Sequence, residues 1–190
     1  MTREAVDVRE RQLPLYDRYE DAPGEAEITD RAVAKGGVEV DPFHGVVVPG
    51  SQEYGVAWEF GVHSAVGGFH DAPNPGDILC AALATCLDST IRIVAGRLGV
   101  ALEHLEVDVT ADVDVRGTLR VAEDVPVGFQ SMQCDVSIRA EEGTDPGRVE
   151  TLVEAAEYSC VNLQTLCSGV PVETSVETTV STGRSRSLEQ

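Results

Sequence analysis

Lysine is nearly missing from this chain. Of 14 basic residues only Lys35 is a lysine, against 33 acidic residues, and the formal net charge is -19. A surface so poor in cations repels phosphate, because nucleic acids and anionic membranes are held by clustered positive charge. The composition therefore predicts no nucleic-acid partner and no membrane partner. Cys-x-x-Cys pairs are also absent, which excludes a zinc ribbon or a thioredoxin motif on spacing. No uninterrupted apolar run has the length expected of a membrane-spanning helix. The start, Met1-Thr2-Arg3-Glu4, carries charge where a signal peptide would carry an apolar core. The expectation is a cytoplasmic protein. Internal repeats and low-complexity tracts are not evident either.

What is present is ordinary in bulk and unusual in its cysteines. The 190 residues, 42% hydrophobic, suffice for one domain with a proper core. There are five cysteines: Cys80, Cys86, Cys134, Cys160 and Cys167. An odd number in a chain with no leader argues against a disulfide framework. For Cys80, Cys134 and Cys167 the expected role is that of a small buried hydrophobe. Cys86 lies in the middle of an apolar stretch, and Cys160 near the end of a second amphipathic run. That arrangement suggests two thiols brought together by folding. Such a pair can reduce an oxidant and close into a disulfide.

The pattern along the chain gives the fold class. Residues 1–25 read as a peripheral arm of one or two helical turns, broken near Pro14. Three strand-like runs follow, at Ala26–Ala34, Phe43–Val48 and Gly55–His63. Asn74 then reads as an N-cap, with Pro75 at the first helical position and Asp77 placed to reach back to the cap. From Ile78 to Leu98 the single helix breaker is Gly96, and Gly99 is the expected terminator. His104–Arg116 and Phe129–Ala140 alternate as strands. A helix starts near Pro146, with Cys160–Leu166 continuing it or forming a short helix of its own. Val170–Thr179 reads as a last strand, and 181–190 as a polar tail. The expected fold is α+β over residues 26–180, with helices against antiparallel sheets. Residues 78–87 are apolar on nearly every side, too much for one small sheet to cover, which predicts an obligate homodimer.

These residues resemble the OsmC/Ohr family, the osmotically inducible protein C and organic hydroperoxide resistance proteins. The resemblance rests on Asn74-Pro75, on Ala81-Ala82-Leu83-Ala84-Thr85-Cys86, on the strand pair after Gly99, on Cys160 and on Gly169-Val170-Pro171-Val172-Glu173. It covers residues 26–179. It implies curved antiparallel sheets around central helices in an intertwined homodimer, with sites at the subunit interface. It also implies peroxidase chemistry without metal or organic cofactor. Cys86 would attack an organic hydroperoxide, Cys160 would resolve the sulfenic acid, and a dithiol reductant would reset the disulfide. Family peroxidases carry a glutamate directly after the Pro of the Asn-Pro pair, matched to an arginine from the early strands. Here that position is Gly76, followed by Asp77, and the best match for the arginine is Arg31. Members with an early Gly-Gly-x-His-Asp segment form a separate branch.

The chemistry sets its own demands. A free cysteine has a pKa of about 8.5 and attacks as the thiolate. Cys86 is in the third turn of its helix, where the dipole has faded, so it needs a cation. Arg31 is one candidate. Arg92 is the other, six residues along the same helix and about 120° round it. Cys80 is nearer the helix start and in the stronger dipole field. Cys167, seven residues after Cys160, is a possible backup resolving thiol. Asp77 either replaces the missing glutamate or merely caps the helix, and Glu157 is a second carboxylate near Cys160. His63, His70 and Asp71 match no strong ligand spacing, so no metal is expected. The alternative to a peroxidase is a noncatalytic relative whose cysteines are structural, or one that binds a small ligand or senses electrophiles.

Overall fold

The capping box at Asn74 forms as the sequence predicts, and it starts the helix on which everything else is built. In the computed structural model, which describes residues 6–36, 41–50 and 55–178, Asn74 Oδ1 accepts from the N–H groups of Gly76 at 2.8 Å and Asp77 at 3.3 Å. The Asp77 carboxylate accepts from the Asn74 N–H at 2.9 Å in return. Helix α2 then runs Pro75–Leu98 and ends at Gly99, which takes the left-handed conformation at φ 67°. Before it come α1 (Val8–Asp21) and the strands β1 (Ala32–Gly36), β2 (Gly45–Pro49) and β3 (Trp58–Phe60). After it come β4 (Leu102–Asp112), a single helical turn α3 (Val115–Thr118), β5 (Ser131–Ala140), α4 (Pro146–Ser159) and α5 (Val161–Ser168).

The strands form two antiparallel sheets, ordered β1-β2-β3 and β4-β5. In the second, Val107 pairs with Val136 and Val109 with Cys134. After a register shift between Leu102 and His104, alternation along β4 turns Leu105, Val107 and Val109 toward α2 and Glu106, Asp108 and Asp112 toward solvent. The core is α2 packed on this sheet and on α4. Its fully buried residues are Leu83, Leu87, Ile91, Val94, Ala95, Val100, Leu152, Ala156 and Cys160. None of them comes from β1–β3. By length and composition α2 could cross a membrane, with mean hydropathy 1.7 over its most apolar stretch, contrary to the expectation that no segment would qualify. Its packing on β4 and α4 is that of a core helix.

Three expectations need correction. The arm is not broken at Pro14. Asp7 caps a full 14-residue helix through Pro14, which is tied to α2 on one side. Arg9 Nε donates to the Arg97 carbonyl at 2.7 Å, and the Arg97 guanidinium lies 5.6 Å from the Tyr16 ring centroid. Gly96 has its reason here: a Cβ at that position would stand 2.7 Å from Val8 Cγ2. The first strand begins at Ala32 rather than Ala26, because Pro23–Ala26 close into a 3₁₀ turn. The last strand does not form over 169–178, where Val170, Val172 and Val176 are exposed. Alternation describes a surface that fits a sheet, and it makes no strand without a neighbour to pair with. Thr179 and the tail 181–190 lie outside the described residues.

The segment between β3 and α2 doubles back on itself. Gly61 N–H donates to the Pro73 carbonyl at 3.0 Å, and His70 N–H to the Val62 carbonyl at 3.1 Å. An ionic clamp fastens this segment to β2. His44 Nδ1 lies 2.6 Å from Asp41 Oδ2, and His44 Nε2 lies 2.9 Å from Asp71 Oδ1. Ionised carboxylates only accept, so while both are charged the geometry favours a ring that donates from both nitrogens, the imidazolium form. It stacks on Phe69 with centroids 5.6 Å apart. The hydrogen bond to Asp71, then that to Asp41, hold His44 above its ordinary value, and His44 holds both carboxyls below theirs.

Two measurements test these contacts. Arg9→Ala removes the side-chain donor at the α2 C-terminus and should speed amide exchange in α1 on the order of fivefold, as expected for about 1 kcal/mol, leaving α2 amides unchanged. Uniform exchange across both helices would mean that α1 is not independently docked. The clamp has a definite pH window. The His44 contribution is complete below the reference value of 6.5 and is lost as pH rises through the raised value. The carboxylate contributions are complete above 3.8 and lost as pH falls through the lowered values. An NMR titration should find His44 titrating above 6.5, with Asp71→Asn lowering it. A His44 that titrates identically in both proteins would show that the clamp does not exist in solution.

Candidate thiol site

Two elements that share no strand bring Cys86 and Cys160 together. Cys86 is half-buried on α2 and packs against the core. Cys160 is at the corner between α4 and α5, with extended backbone (φ -76°, ψ 106°) and no exposed surface. Cys86 packs against the buried cluster that includes Cys160, the two thiols lie near enough to influence each other's ionisation, and both are free. Burial pushes the Cys160 thiol up, the amides of Leu163 and Asn162 oppose that shift, and the Cys86 thiol adds to it. Two neighbouring thiols can exchange two hydrogens for one S–S bond, provided an oxidant takes the two electrons.

The corner is built by hydrogen bonds that the sequence reading missed. Asn162 Nδ2 donates to the Ala82 carbonyl at 2.7 Å, linking α5 to α2 across 80 residues of sequence. Gln164 Nε2 donates to the Glu157 carbonyl at 3.0 Å, and Gln164 N–H to the Cys160 carbonyl at 2.9 Å. No periodicity marks these two amides, since α5 spans only eight residues and mixes polar with apolar positions.

The other expected site residues fall elsewhere. Asp77 is occupied as the helix cap, accepting also from Asn74 Nδ2 at 2.6 Å. Arg31 is exposed just before β1, where its carbonyl accepts from Gly50 N–H at 2.7 Å. Among the described residues its guanidinium enters no ion pair. Arg92 is committed to Asp88 through two bonds of 2.8 and 2.9 Å. Cys80 gains less from the helix start than expected, because burial, then the Asp77 carboxylate, push its thiol up. Cys167 is exposed and does not share a continuous helix with Cys160, since the chain turns there. It lies near Cys134 instead, whose thiol is raised first by burial and then by Asp135, Cys167 and Cys80. His63 and His70 meet edge to face at 4.3 Å. Among the described residues no group of three His, Cys, Asp or Glu side chains is placed to hold a metal ion.

A cavity of about 910 Å³ opens at the start of α2. Val62, Gly76, Asp77, Cys80, Val109 and Phe129 are in its wall, and Cys86 is not. Phe129 covers Gly76 so closely that a Cβ there would meet its Cζ at 3.1 Å. The Gln130 carboxamide holds Phe129's loop, accepting from Asp114 N–H at 2.7 Å and donating to the Gly128 carbonyl at 2.6 Å. Leu83 and Leu87, which flank Cys86 on α2, are buried in the core at 2% and 3% exposure.

Comparison with known proteins identifies the fold. The OsmC-like protein from Mycoplasma pneumoniae superimposes with a TM-score of 0.59 at 14% identity, over 76% of this chain and 90% of its own. An OsmC-like protein of unknown function from Vibrio cholerae gives 0.58 at 10% identity, over 73% and 94%. An organic hydroperoxide resistance protein from Elizabethkingia anophelis, with thiocyanate bound, gives 0.52 at 19% identity, over 73% and 89%. Comparison with curated protein sequences gives no match. Residues 68–175, from the segment before α2 to the chain beyond α5, match the family model OsmC, described as OsmC-like protein. With this mixed α+β architecture and that match over more than half its length, the chain belongs to the OsmC-like protein family.

Proposed function

We propose that this protein is a thiol-dependent peroxidase that reduces organic hydroperoxides, with Cys86 as the attacking residue and Cys160 as the resolving one. The observation that carries the proposal is that folding sets Cys86 against the buried cluster that includes Cys160, with Asn162 of the Cys160 corner bonded to the Ala82 carbonyl one turn before Cys86. In the first step the Cys86 thiolate attacks the terminal peroxide oxygen. The O–O bond breaks, an S–O bond forms, and the alkoxide leaves as the alcohol after taking a proton. Sulfur loses two electrons and the peroxide gains them. In the second step Cys160 sulfur displaces the hydroxyl from the Cys86 sulfenic acid, giving a disulfide and water. A dithiol then reduces the disulfide. The apolar cluster against which Cys86 packs makes its surroundings more favourable to an alkyl group than to water.

The working unit in this reading is a homodimer. Only 28% of the most apolar stretch of α2 is buried within one chain. The β1–β3 sheet adds nothing to the core and leaves Val46 and Trp58 exposed. A second chain would cover both, and it would also be the source of a cation for Cys86, since Arg92 is already paired. A second reading, a noncatalytic ligand-binding relative, is favoured by one observation. Gly76 replaces the glutamate of the family's peroxidases, and Phe129 fills the place above it beside a cavity remote from Cys86.

The two readings differ in what happens to Cys86. Prereduced protein mixed with excess cumene or tert-butyl hydroperoxide should consume peroxide, faster than it consumes hydrogen peroxide. Cys86→Ser should reduce the rate at least a hundredfold. Cys160→Ser should complete a single turnover and leave a sulfenic acid that dimedone captures. A wild-type Cys86 that remains a free thiol throughout would give the noncatalytic reading. Sedimentation should show twice the chain mass, and a stable folded monomer at micromolar concentration would remove the dimer from the scheme.

A further inference from the structure

Among the described residues one side-chain hydrogen bond ties the corner that carries Cys160 to α2, and it ends on the turn that leads into Cys86. Asn162 is two residues after Cys160, and its Nδ2 donates at 2.7 Å to the carbonyl of Ala82. Ala82 is four residues before Cys86. In α-helical geometry that carbonyl is also the acceptor of the Cys86 N–H. The Asn162 amide and the Cys86 amide therefore converge on one oxygen. Few covalent bonds separate the Asn162 side chain from Cys160 on one side, or Ala82 from Cys86 on the other. The link consequently sets the height of one thiol against the other along the α2 axis.

The remaining contacts at the corner do not set this height. Gln164 folds the corner onto α4 through the Glu157 carbonyl. Leu152, Ala156 and Leu163 supply apolar packing, which is not directional. Thr85, which also approaches the Ala82 carbonyl at 3.2 Å, stays within α2. From this arrangement we infer that Asn162 is a positioning residue for disulfide closure. It holds Cys160 within reach of Cys86, and it acts on the second step of the reaction and not on the first. The inference rests on the thiol reading above for its place in catalysis, but its geometric content is independent of the oxidant.

In the step concerned, the Cys160 thiol attacks the sulfur of the Cys86 sulfenic acid. The S–S bond forms, the S–O bond breaks, and the thiol proton leaves with the hydroxyl as water. Closure needs the two Cα atoms about 4.4–6.8 Å apart. Without the tether, the corner samples positions in which attack is not aligned. The effective concentration of Cys160 at Cys86 falls, and both the rate and the equilibrium of closure fall with it.

The test uses full-length Asn162→Asp, which keeps the shape and removes the donor, and Asn162→Leu, which replaces the amide by a hydrocarbon of similar size. Equilibration of each protein in a dithiothreitol redox buffer, with the Cys86–Cys160 disulfide quantified by mass spectrometry, should show the closure constant lowered about tenfold. For a two-electron couple that is a potential less negative by about 30 mV. With alkyl hydroperoxide, dimedone capture at Cys86 should rise severalfold in both variants, while the rate at which the Cys86 thiol disappears stays within twofold of wild type. A lowered thermal midpoint with an unchanged closure constant would make Asn162 a structural tie only and overturn the inference. So would a first step slowed as much as the second. If wild-type Cys86 ignores hydroperoxide but the closure constant still shifts in the variants, the positioning role stands and the peroxidase reading fails. If the wild-type disulfide forms in no redox buffer, both fail.

Discussion

Burial of one face of α2 is the constraint on which the rest of this structure depends. Leu83, Leu87, Ile91 and Val94 recur at helical spacing and meet β4 and β5 on one side and Leu152 and Ala156 of α4 on the other. Each such side chain contributes roughly 1.5–3 kcal/mol when fully removed from water, so this one seam supplies most of the chain's own core. The position of Cys86 follows from it. The residue sits on α2 beside Leu83 and Leu87, at the edge of the seam where α4 gives way to α5. Cys160 completes the core at that edge, entirely buried in the cluster against which Cys86 packs.

The same seam explains what remains uncovered. The β1–β3 sheet joins the rest of the chain through the 61–73 segment and the His44 clamp, and it shares no buried residue with α2. Its exposed Trp58 and Val46, and the uncovered face of α2, are complementary deficits. A single chain is then an incomplete solution to its own hydrophobic pattern. That is the physical content of the proposed dimer. It also accounts for Arg31 lying far from the thiols in one chain without excluding it from a site shared by two.

The start of α2 shows how one substitution reorganises a neighbourhood. With glycine at position 76, the Phe129 ring settles over the helix and an apolar cavity opens beside it, with Cys80 in the wall. A glutamate there would need Phe129 to move. Asp77 does not step into the vacancy, because its carboxylate already satisfies the Asn74 amides. The thiol pair and the cavity are thus separate features about six helical residues apart, and any ligand of the cavity would meet Cys80 before Cys86.

Local chemistry was written plainly in the sequence. Asn-Pro-x-Asp before an apolar run gives the N-cap, the first-turn proline and the reciprocal carboxylate, because each interaction spans no more than three residues. Gly99 as terminator, the alternation of β4 and the start of α4 at Pro146 are equally local. Cys86 and Cys160 stood out by their contexts, and the resemblance of those contexts to a family pointed to the pairing. What tertiary structure alone decided is everything that depends on which surfaces meet. Pro14 is carried inside a helix because Arg9 and Tyr16 fasten that helix to Arg97. The valines after Gly169 alternate yet find no strand to pair with over the described residues. His44 is drawn toward the imidazolium form because Asp71, 27 residues away, folds back onto it. Asn162 reaches Ala82 across 80 residues. Propensity and periodicity report a residue's own few neighbours in the chain, whereas a hydrogen bond between distant segments exists only after the core has fixed where those segments lie.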